Sequence, residues 1–214
     1  MISHAAFRRW LLALALCAIA IVVCIGYVDR PAAEVFDTYV RHTEQWDWIN
    51  RLMAPIVLIP LGALLFLFCA GFRLLSGRQL SSWTQKPLLC CWSTMWALAA
   101  EFVLKQVFGR GWPDPTFVED RLYGFRFLHG GPHWSSFPSG TATISAAIVA
   151  TIWLIAPRLR LTCALLAGLV CAAVIVTNQH WVSDVIAGAF LGASIGWMTV
   201  ALLGSPVLPP LTDS

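Results

Sequence analysis

The chain has 214 residues, of which 58% are hydrophobic and 12% charged, and its mean hydropathy is +0.73. Soluble globular domains contain about 25% charged residues, so this composition excludes an ordinary soluble fold and indicates an all-α, polytopic membrane protein. The formal net charge is only +3, and without a run of Lys and Arg it gives no sign of a nucleic-acid partner. We expect one domain over residues 1–214 with a loose tail at about 206–214.

Six apolar windows are long enough to cross a hydrocarbon core of about 30 Å. In chain order they are Trp10 to Tyr27, Leu52 to Phe72, Pro87 to Phe108, Pro138 to Ala156, Leu161 to Thr177 and Val185 to Leu203. The sequence therefore predicts a bundle of six transmembrane helices. All seven cysteines fall within apolar windows, and we interpret them as small buried side chains without a disulfide framework or a metal site.

The segments between the windows differ in charge. The N-terminus and every second loop carry basic residues without acidic ones, namely Arg8, Arg9, Arg73, Arg78, Lys86, Arg158 and Arg160. The loops Asp29 to Arg51 and Arg110 to Phe137 mix both signs of charge. Because cytoplasmic loops are enriched in Lys and Arg, we expect both termini in the cytoplasm and the mixed loops on the periplasmic side of the cell inner membrane.

The third window ends with two ionisable residues, Glu101 and Lys105, four positions apart. On a helix this spacing favours an ion pair, and ionisable groups within membrane helices are costly enough that many are functional. We interpret Glu101 as a salt-bridge partner that stabilises the bundle, whereas Lys105, one helical turn closer to the water, could reach a ligand. Arg110 follows in the segment Gly109 to Pro113 and places a guanidinium at the outer face.

The fourth window begins with the segment Ser136 to Thr141, which contains Pro138, Ser139 and Gly140. A helix that starts in this way presents free backbone N–H groups and a positive dipole end, which suit a phosphate. The same residues also begin ordinary helices, so the segment alone is a weak signal.

A polar segment between the last two windows contains His180 and Asp184. If this segment is helical, the two side chains share a face, and the carboxylate can orient the imidazole for use as a base or nucleophile. The alternative is a polar cap that joins two membrane helices. Because successive helices run in opposite directions, Lys105, Ser139 and His180 should reach the same membrane face and form an anion site beside a nucleophile.

These residues resemble the motifs of the type 2 phosphatidic acid phosphatase (PAP2) superfamily, which read K-x6-R-P, P-S-G-H and S-R-x5-H-x3-D. The likeness extends from Lys105 to Asp184 and agrees with six helices; the matching positions are Lys105, Pro113, Pro138, Ser139, Gly140, His180 and Asp184. The resemblance implies that His180 attacks the phosphoryl group to form a phosphohistidine and that Asp184 orients it. It further implies that the lysine and the Ser-Gly backbone hold the phosphate, without a metal or other cofactor.

Several motif positions differ. Trp112 stands in place of arginine, Thr141 in place of the histidine that protonates the leaving oxygen, and Ala173 and Val174 in place of Ser-Arg. We interpret Arg110 as the replacement for the first arginine. A threonine hydroxyl is a poor general acid, which leaves three alternatives: a diphosphate substrate with a good leaving group, His133 or His129 as the acid, or a relative without turnover.

The sequence thus predicts an integral membrane lipid phosphatase or phosphotransferase of PAP2 type that acts on a lipid phosphate or diphosphate at the periplasmic face. Its expected site comprises His180 and Asp184 for catalysis, with Lys105, Arg110, Ser139 and Gly140 as phosphate ligands. The alternative is a catalytically silent relative that binds a lipid or a protein. A transporter is less favoured, because the sequence has no inverted repeat or paired broken helices. The particular lipid and the oligomeric state stay open.

Overall fold

The computed structural model describes residues 4–204, apart from the side chain of Ser82. In that part the chain forms eight α-helices and no strand: α1 (His4–Val23), α2 (Asp29–Tyr39), α3 (Glu44–Met53), α4 (Leu58–Leu75), α5 (Ser82–Phe108), α6 (Gly140–Ile155), α7 (Arg160–Val176) and α8 (Val182–Leu203). The prediction of an all-α protein is therefore confirmed for these residues. The predicted loose tail at 206–214 lies outside them.

Helices occupy all six predicted windows. A π-helical turn, Cys24–Val28, connects α1 to α2, and a 3-10 turn, Ala54–Val57, connects α3 to α4. In the described residues, five segments are long and apolar enough to cross a membrane: His4–Tyr39, Glu44–Leu75, Trp83–Phe108, Pro157–Val176 and Val182–Leu203. The remaining helix, α6, has 16 residues, or about 24 Å at 1.5 Å per residue. The multi-pass architecture is confirmed, whereas the count of six spanning helices is not.

The segment from Asp29 to Arg51 was expected to be a loop, but it forms α2 and most of α3. Its high charge suggested a loop; however, helices accommodate charged residues on their solvent side. On α2, Asp29 and Ala33 are buried four positions apart while Glu34 is exposed. The charges therefore mark the outer faces of short helices that pack onto the end of the bundle.

Helices α6 and α8 pack closely along a row of glycines on α8. A Cβ atom added to Gly192 would lie 2.0 Å from the carbonyl oxygen of Thr143, and one added to Gly188 would lie 2.5 Å from that of Ser139. Glycine permits such backbone contact because it has no side chain. The row holds the first turn of α6 against the second and third turns of α8, close to the predicted phosphate and nucleophile positions.

Helix α5 ends at Gly109, whose φ of +54° is left-handed. An αL residue just after the last helical turn is a common helix terminator, and glycine adopts it without strain. A Cβ atom at Gly109 would also lie 2.0 Å from the carbonyl oxygen of Arg126. The chain consequently turns sharply after Lys105, and Arg110 is directed into the protein.

Candidate active site

A cavity of about 580 Å³ lies between the α3–α4 segment, α5, α6 and the turn before α8. Its polar lining residues are Asn50, Glu101, Lys105, Trp112, Thr141, Gln179 and His180, and its apolar ones include Met53, Ile56, Val57, Leu98, Ile144 and Val174. Two other large grooves on the helix faces, about 620 and 570 Å³, have no charged side chain in their lining. The 580 Å³ cavity therefore combines ionisable groups with an apolar wall, and we call it the outer pocket after the side that the loop charges predict.

His180 lies in the turn before α8 and is buried. The helix begins only at Val182, so the expected pairing on one helix face is replaced by a turn that folds His180 back toward Asp184. The His180 Nδ1 atom is 3.7 Å from Asp184 Oδ2, longer than a hydrogen bond, and has no hydrogen-bond partner in the described structure. The ring centroid lies 4.9 Å from that of Trp112.

Asp184 is fully buried in the first turn of α8, and both of its carboxylate oxygens are bound. The Oδ2 atom accepts hydrogen bonds from the Trp181 backbone N–H at 3.2 Å and from the Ser136 hydroxyl at 2.5 Å. The Oδ1 atom accepts from Arg110 Nη1. Three donors from separate parts of the chain thus fix this carboxylate beside His180.

Arg110 does not line the outer pocket, contrary to its expected role as a phosphate ligand. Its side chain is fully buried, with Nη2 2.7 Å from Asp29 Oδ2 and Nη1 bound to Asp184. Burial disfavours the charged guanidinium, but Asp184 and Asp29 raise the pKa of Arg110 above its ordinary value, so it remains cationic. Arg110 is directed away from the pocket because two carboxylates bind it inside the protein.

Asp29 is a buried residue of the site, although its charged segment was expected to be an outer loop. Besides Arg110, it accepts a hydrogen bond from the Ser183 backbone N–H at 3.0 Å and another from the Ser183 hydroxyl. Tyr123 lies against the same pair: it accepts from Arg110 Nη2 and donates to the Ile25 carbonyl at 2.7 Å. Burial raises the pKa of the Tyr123 hydroxyl, which keeps it protonated as that donor. The sequence signal that could have identified Asp29 is its position two residues after the first apolar window.

Lys105 and the start of α6 are brought together as expected. The Lys105 Nζ atom lies 3.3 Å from Glu101 Oε2 and 5.7 Å from the centre of the Trp112 ring, so the predicted Glu101 and Lys105 ion pair is confirmed. Gly140 lines the outer pocket with them. The N-terminus of α6, with its unpaired N–H groups and positive dipole end, therefore faces the same space as Lys105 and His180.

Ser139 lies behind the pocket wall and not in its lining. It is fully buried, and its hydroxyl caps α6 by accepting a hydrogen bond from the Ala142 N–H at 3.3 Å. Its own backbone N–H donates to the Asp184 carbonyl at 3.0 Å. Ser139 thus ties the start of α6 to the start of α8.

The two loop histidines considered as alternative acids lie away from the pocket. Both His129 and His133 are exposed, and neither is among the lining residues. The His129 Nδ1 atom is 3.1 Å from the Phe127 carbonyl oxygen. Across residues 4–204, no three or more His, Cys, Asp or Glu side chains are grouped as metal ligands.

The sequence profile of the PAP2 superfamily matches residues 86–205, which is more than half of the chain. The chain therefore belongs to the PAP2 superfamily of membrane phosphatases. The matched region contains Lys105, the start of α6, His180 and Asp184, whereas Asp29 lies outside it.

Two curated relatives are lipid A 1-phosphatases. The protein from Rhizobium johnstonii is 34% identical over 100 residues, which cover 45% of this chain and 39% of the relative. The protein from Rhizobium etli is 34% identical over 101 residues, which cover 46% and 40%. The matches thus span about two fifths of the length of each relative.

Among solved structures, the chain resembles a transmembrane PAP2 type phosphatidylglycerolphosphate phosphatase from Bacillus subtilis. The two structures have a TM-score of 0.60 and 18% sequence identity, with 94% of this chain and 96% of the other covered. At this identity the likeness shows a common fold over nearly the whole chain.

Proposed function

We propose that this protein is an integral membrane phosphatase that hydrolyses a lipid phosphate or diphosphate through a phosphohistidine at His180. The observation that carries the proposal is the convergence of His180, Lys105 and the start of α6 on one pocket. A cation and a helix N-terminus provide an anion site, and the imidazole provides the nucleophile.

The proposed roles follow from the contacts of each group. Because Nδ1 of His180 faces Asp184, Nε2 is the nitrogen that attacks phosphorus. Asp184 stabilises the positive charge that develops on the ring, as a buried carboxylate does for a catalytic histidine. Lys105 and the N-terminus of α6 bind the phosphoryl oxygens, and Arg110 holds Asp184 in position.

The pocket lining supports a lipid as the substrate class. Met53, Ile56 and Val57, from the α3–α4 segment, give the pocket an apolar wall, whereas Glu101 and Lys105 come from α5. Such a wall suits an acyl or prenyl chain, whose burial is favourable by about 25 cal/mol per Å². The relatives named lipid A 1-phosphatases make a phosphorylated glycolipid the first substrate to test. The same intermediate gives phosphotransfer if an acceptor lipid replaces water.

We place this site on the periplasmic side of the inner membrane, with both termini in the cytoplasm. The support is the charge distribution: the segments at the opposite end of the bundle carry Arg73, Arg78 and Arg158 without nearby acids. Labelling of single added cysteines in intact cells tests this orientation.

A second candidate function is a silent relative that binds a phosphorylated lipid without turnover. The observation in its favour is Thr141, which lines the pocket at the position of the histidine acid of the family. A silent protein would retain binding through Lys105 but would release no phosphate.

The deciding experiment measures phosphate release by the purified protein from lipid A, phosphatidylglycerophosphate, phosphatidic acid and undecaprenyl diphosphate. We expect release from at least one of them, and we expect His180→Ala to abolish it. Equal rates for wild type and His180→Ala would exclude this mechanism. Binding without release from any substrate would favour the silent relative.

A further inference from the structure

Glu101 lies in the outer pocket directly against the start of α6. It is on α5, one turn before Lys105, and only 8% of the residue is exposed. A Cβ atom added to Gly140 would lie 2.0 Å from Glu101 Oε2, so the carboxylate occupies the space that a side chain at position 140 would fill. Thr141, the residue in place of the family's histidine acid, is next in the chain.

The hydrogen bonding of this carboxylate is incomplete. The Oε2 atom is buried without a hydrogen-bond partner in the described structure. Lys105 Nζ, at 3.3 Å, forms a close ion pair with it, but not with the geometry of a hydrogen bond. Buried polar atoms nearly always have partners, and leaving one without a partner is unfavourable. The Oε2 atom is therefore available to accept or donate a proton.

The pocket contains few groups able to transfer a proton. Its titratable lining residues are Glu101, Lys105 and His180. His180 is assigned as the nucleophile, and Lys105 as the cation that binds phosphate. Glu101 is the one carboxylic acid among the described lining residues, and His129 and His133 lie on the exposed surface.

We propose that Glu101 is the general acid and base of this protein and takes the place of the histidine that Thr141 replaces. This inference rests on the proposed phosphatase function and assigns one of its steps. Before substrate binds, Glu101 is ion-paired with Lys105. A substrate phosphate that arrives as its monoanion competes for Lys105 and passes its proton to Glu101, which removes the repulsion between two neighbouring anions.

The proton transfers balance over the two steps. In the first, His180 Nε2 forms a bond to phosphorus, the bond from phosphorus to the lipid oxygen breaks, and that oxygen takes the proton of Glu101 to give the lipid alcohol. In the second, the Glu101 carboxylate takes a proton from water as the water oxygen bonds to phosphorus. The bond from nitrogen to phosphorus then breaks, which releases phosphate and leaves Glu101 protonated for the next cycle.

Dependence on the leaving group tests the role of Glu101. Glu101→Gln keeps the size of the side chain but cannot transfer the proton. We expect it to lower kcat/KM for dioctanoyl phosphatidic acid about 100-fold or more, within the usual range for general acid catalysis. The matched dioctanoylglycerol diphosphate leaves as a phosphate monoester that needs little protonation, so its kcat/KM should fall less than about 10-fold.

Two further variants complete the experiment. Glu44→Gln, at an exposed position on α3, should keep wild-type rates on both lipids. Adding Thr141→His to Glu101→Gln should restore most of the activity on phosphatidic acid. Equal losses on the two lipids, or no loss on phosphatidic acid, would overturn the inference. If the wild-type protein releases phosphate from neither lipid nor from the wider panel, the proposed function fails and this inference fails with it.

Discussion

Asp29 and Asp184 bind the same guanidinium from opposite sides: Arg110 Nη2 lies 2.7 Å from Asp29 Oδ2, and Arg110 Nη1 binds Asp184 Oδ1. All three side chains are fully or almost fully buried. The beginning of the chain thus supports a carboxylate next to the proposed nucleophile. Asp29 lies outside the residues that match the family profile, 86–205.

Replacing Asp29 should destabilise the protein and slow catalysis without weakening substrate binding. Asp29→Asn removes one partner of a buried ion pair, and such losses cost about 3–5 kcal/mol. Because Asp29 does not line the outer pocket, we expect kcat to fall while KM stays within about twofold, the pattern of a lost transition-state interaction.

The matched control is Asp37→Asn on the same helix, where Asp37 forms a partly exposed pair with Arg41 at 3.2 Å. It should cost less than about 1 kcal/mol. Thermal unfolding in detergent and kinetics on one lipid measure both effects. Similar unfolding temperatures for the two variants would argue against a central role for Asp29.

Replacing Lys105 should weaken the interaction with phosphate. Lys105→Met keeps the length of the side chain and removes one charge-assisted contact, worth about 1.5–3 kcal/mol, so kcat/KM should drop about 10- to 100-fold. Lys86→Met, at an exposed position near the start of α5, provides the control and should behave as wild type. An unchanged kcat/KM in Lys105→Met would remove Lys105 from the proposed site.

The glycine row on α8 gives a prediction about stability. Gly192→Ala places a methyl group 2.0 Å from the Thr143 carbonyl oxygen, so α6 and α8 must separate at a cost of about 1–3 kcal/mol. Gly168→Ala on α7 has no neighbouring atom within 4 Å and should be neutral or slightly stabilising. Unfolding of the two variants in the same detergent compares them directly, and equal stability would mean that the helix contact is not needed.

Hydropathy and topology predicted much of this architecture. The apolar windows were found because membrane helices need long apolar stretches, and alternation of direction placed Lys105, the start of α6 and His180 at one end. These predictions use only local composition and the order of helices, which the sequence contains directly.

The position of Arg110 required information that the sequence does not show locally. Its burial depends on Asp29, at the start of α2, and on the turn at Gly109. Glu101 presents the same difficulty: its spacing indicated the pair with Lys105, but its contact with Gly140 depends on how closely α5 and α6 pack. The charged segment after Asp29 was assigned to a loop from its composition, although its charges lie on the outer faces of helices.

The buried cluster of Asp29, Arg110 and Asp184 contains two carboxylates for one guanidinium, so its formal charge is minus one. An unbalanced charge has a large electrostatic energy inside the protein, because the effective dielectric constant there is low. In the proposed mechanism the His180 ring becomes positive when Nε2 is phosphorylated while Nδ1 keeps its proton, 3.7 Å from the nearer carboxylate oxygen. That positive charge balances the excess negative charge of the cluster, so the buried carboxylates favour the proposed phosphorylated intermediate over the free ring.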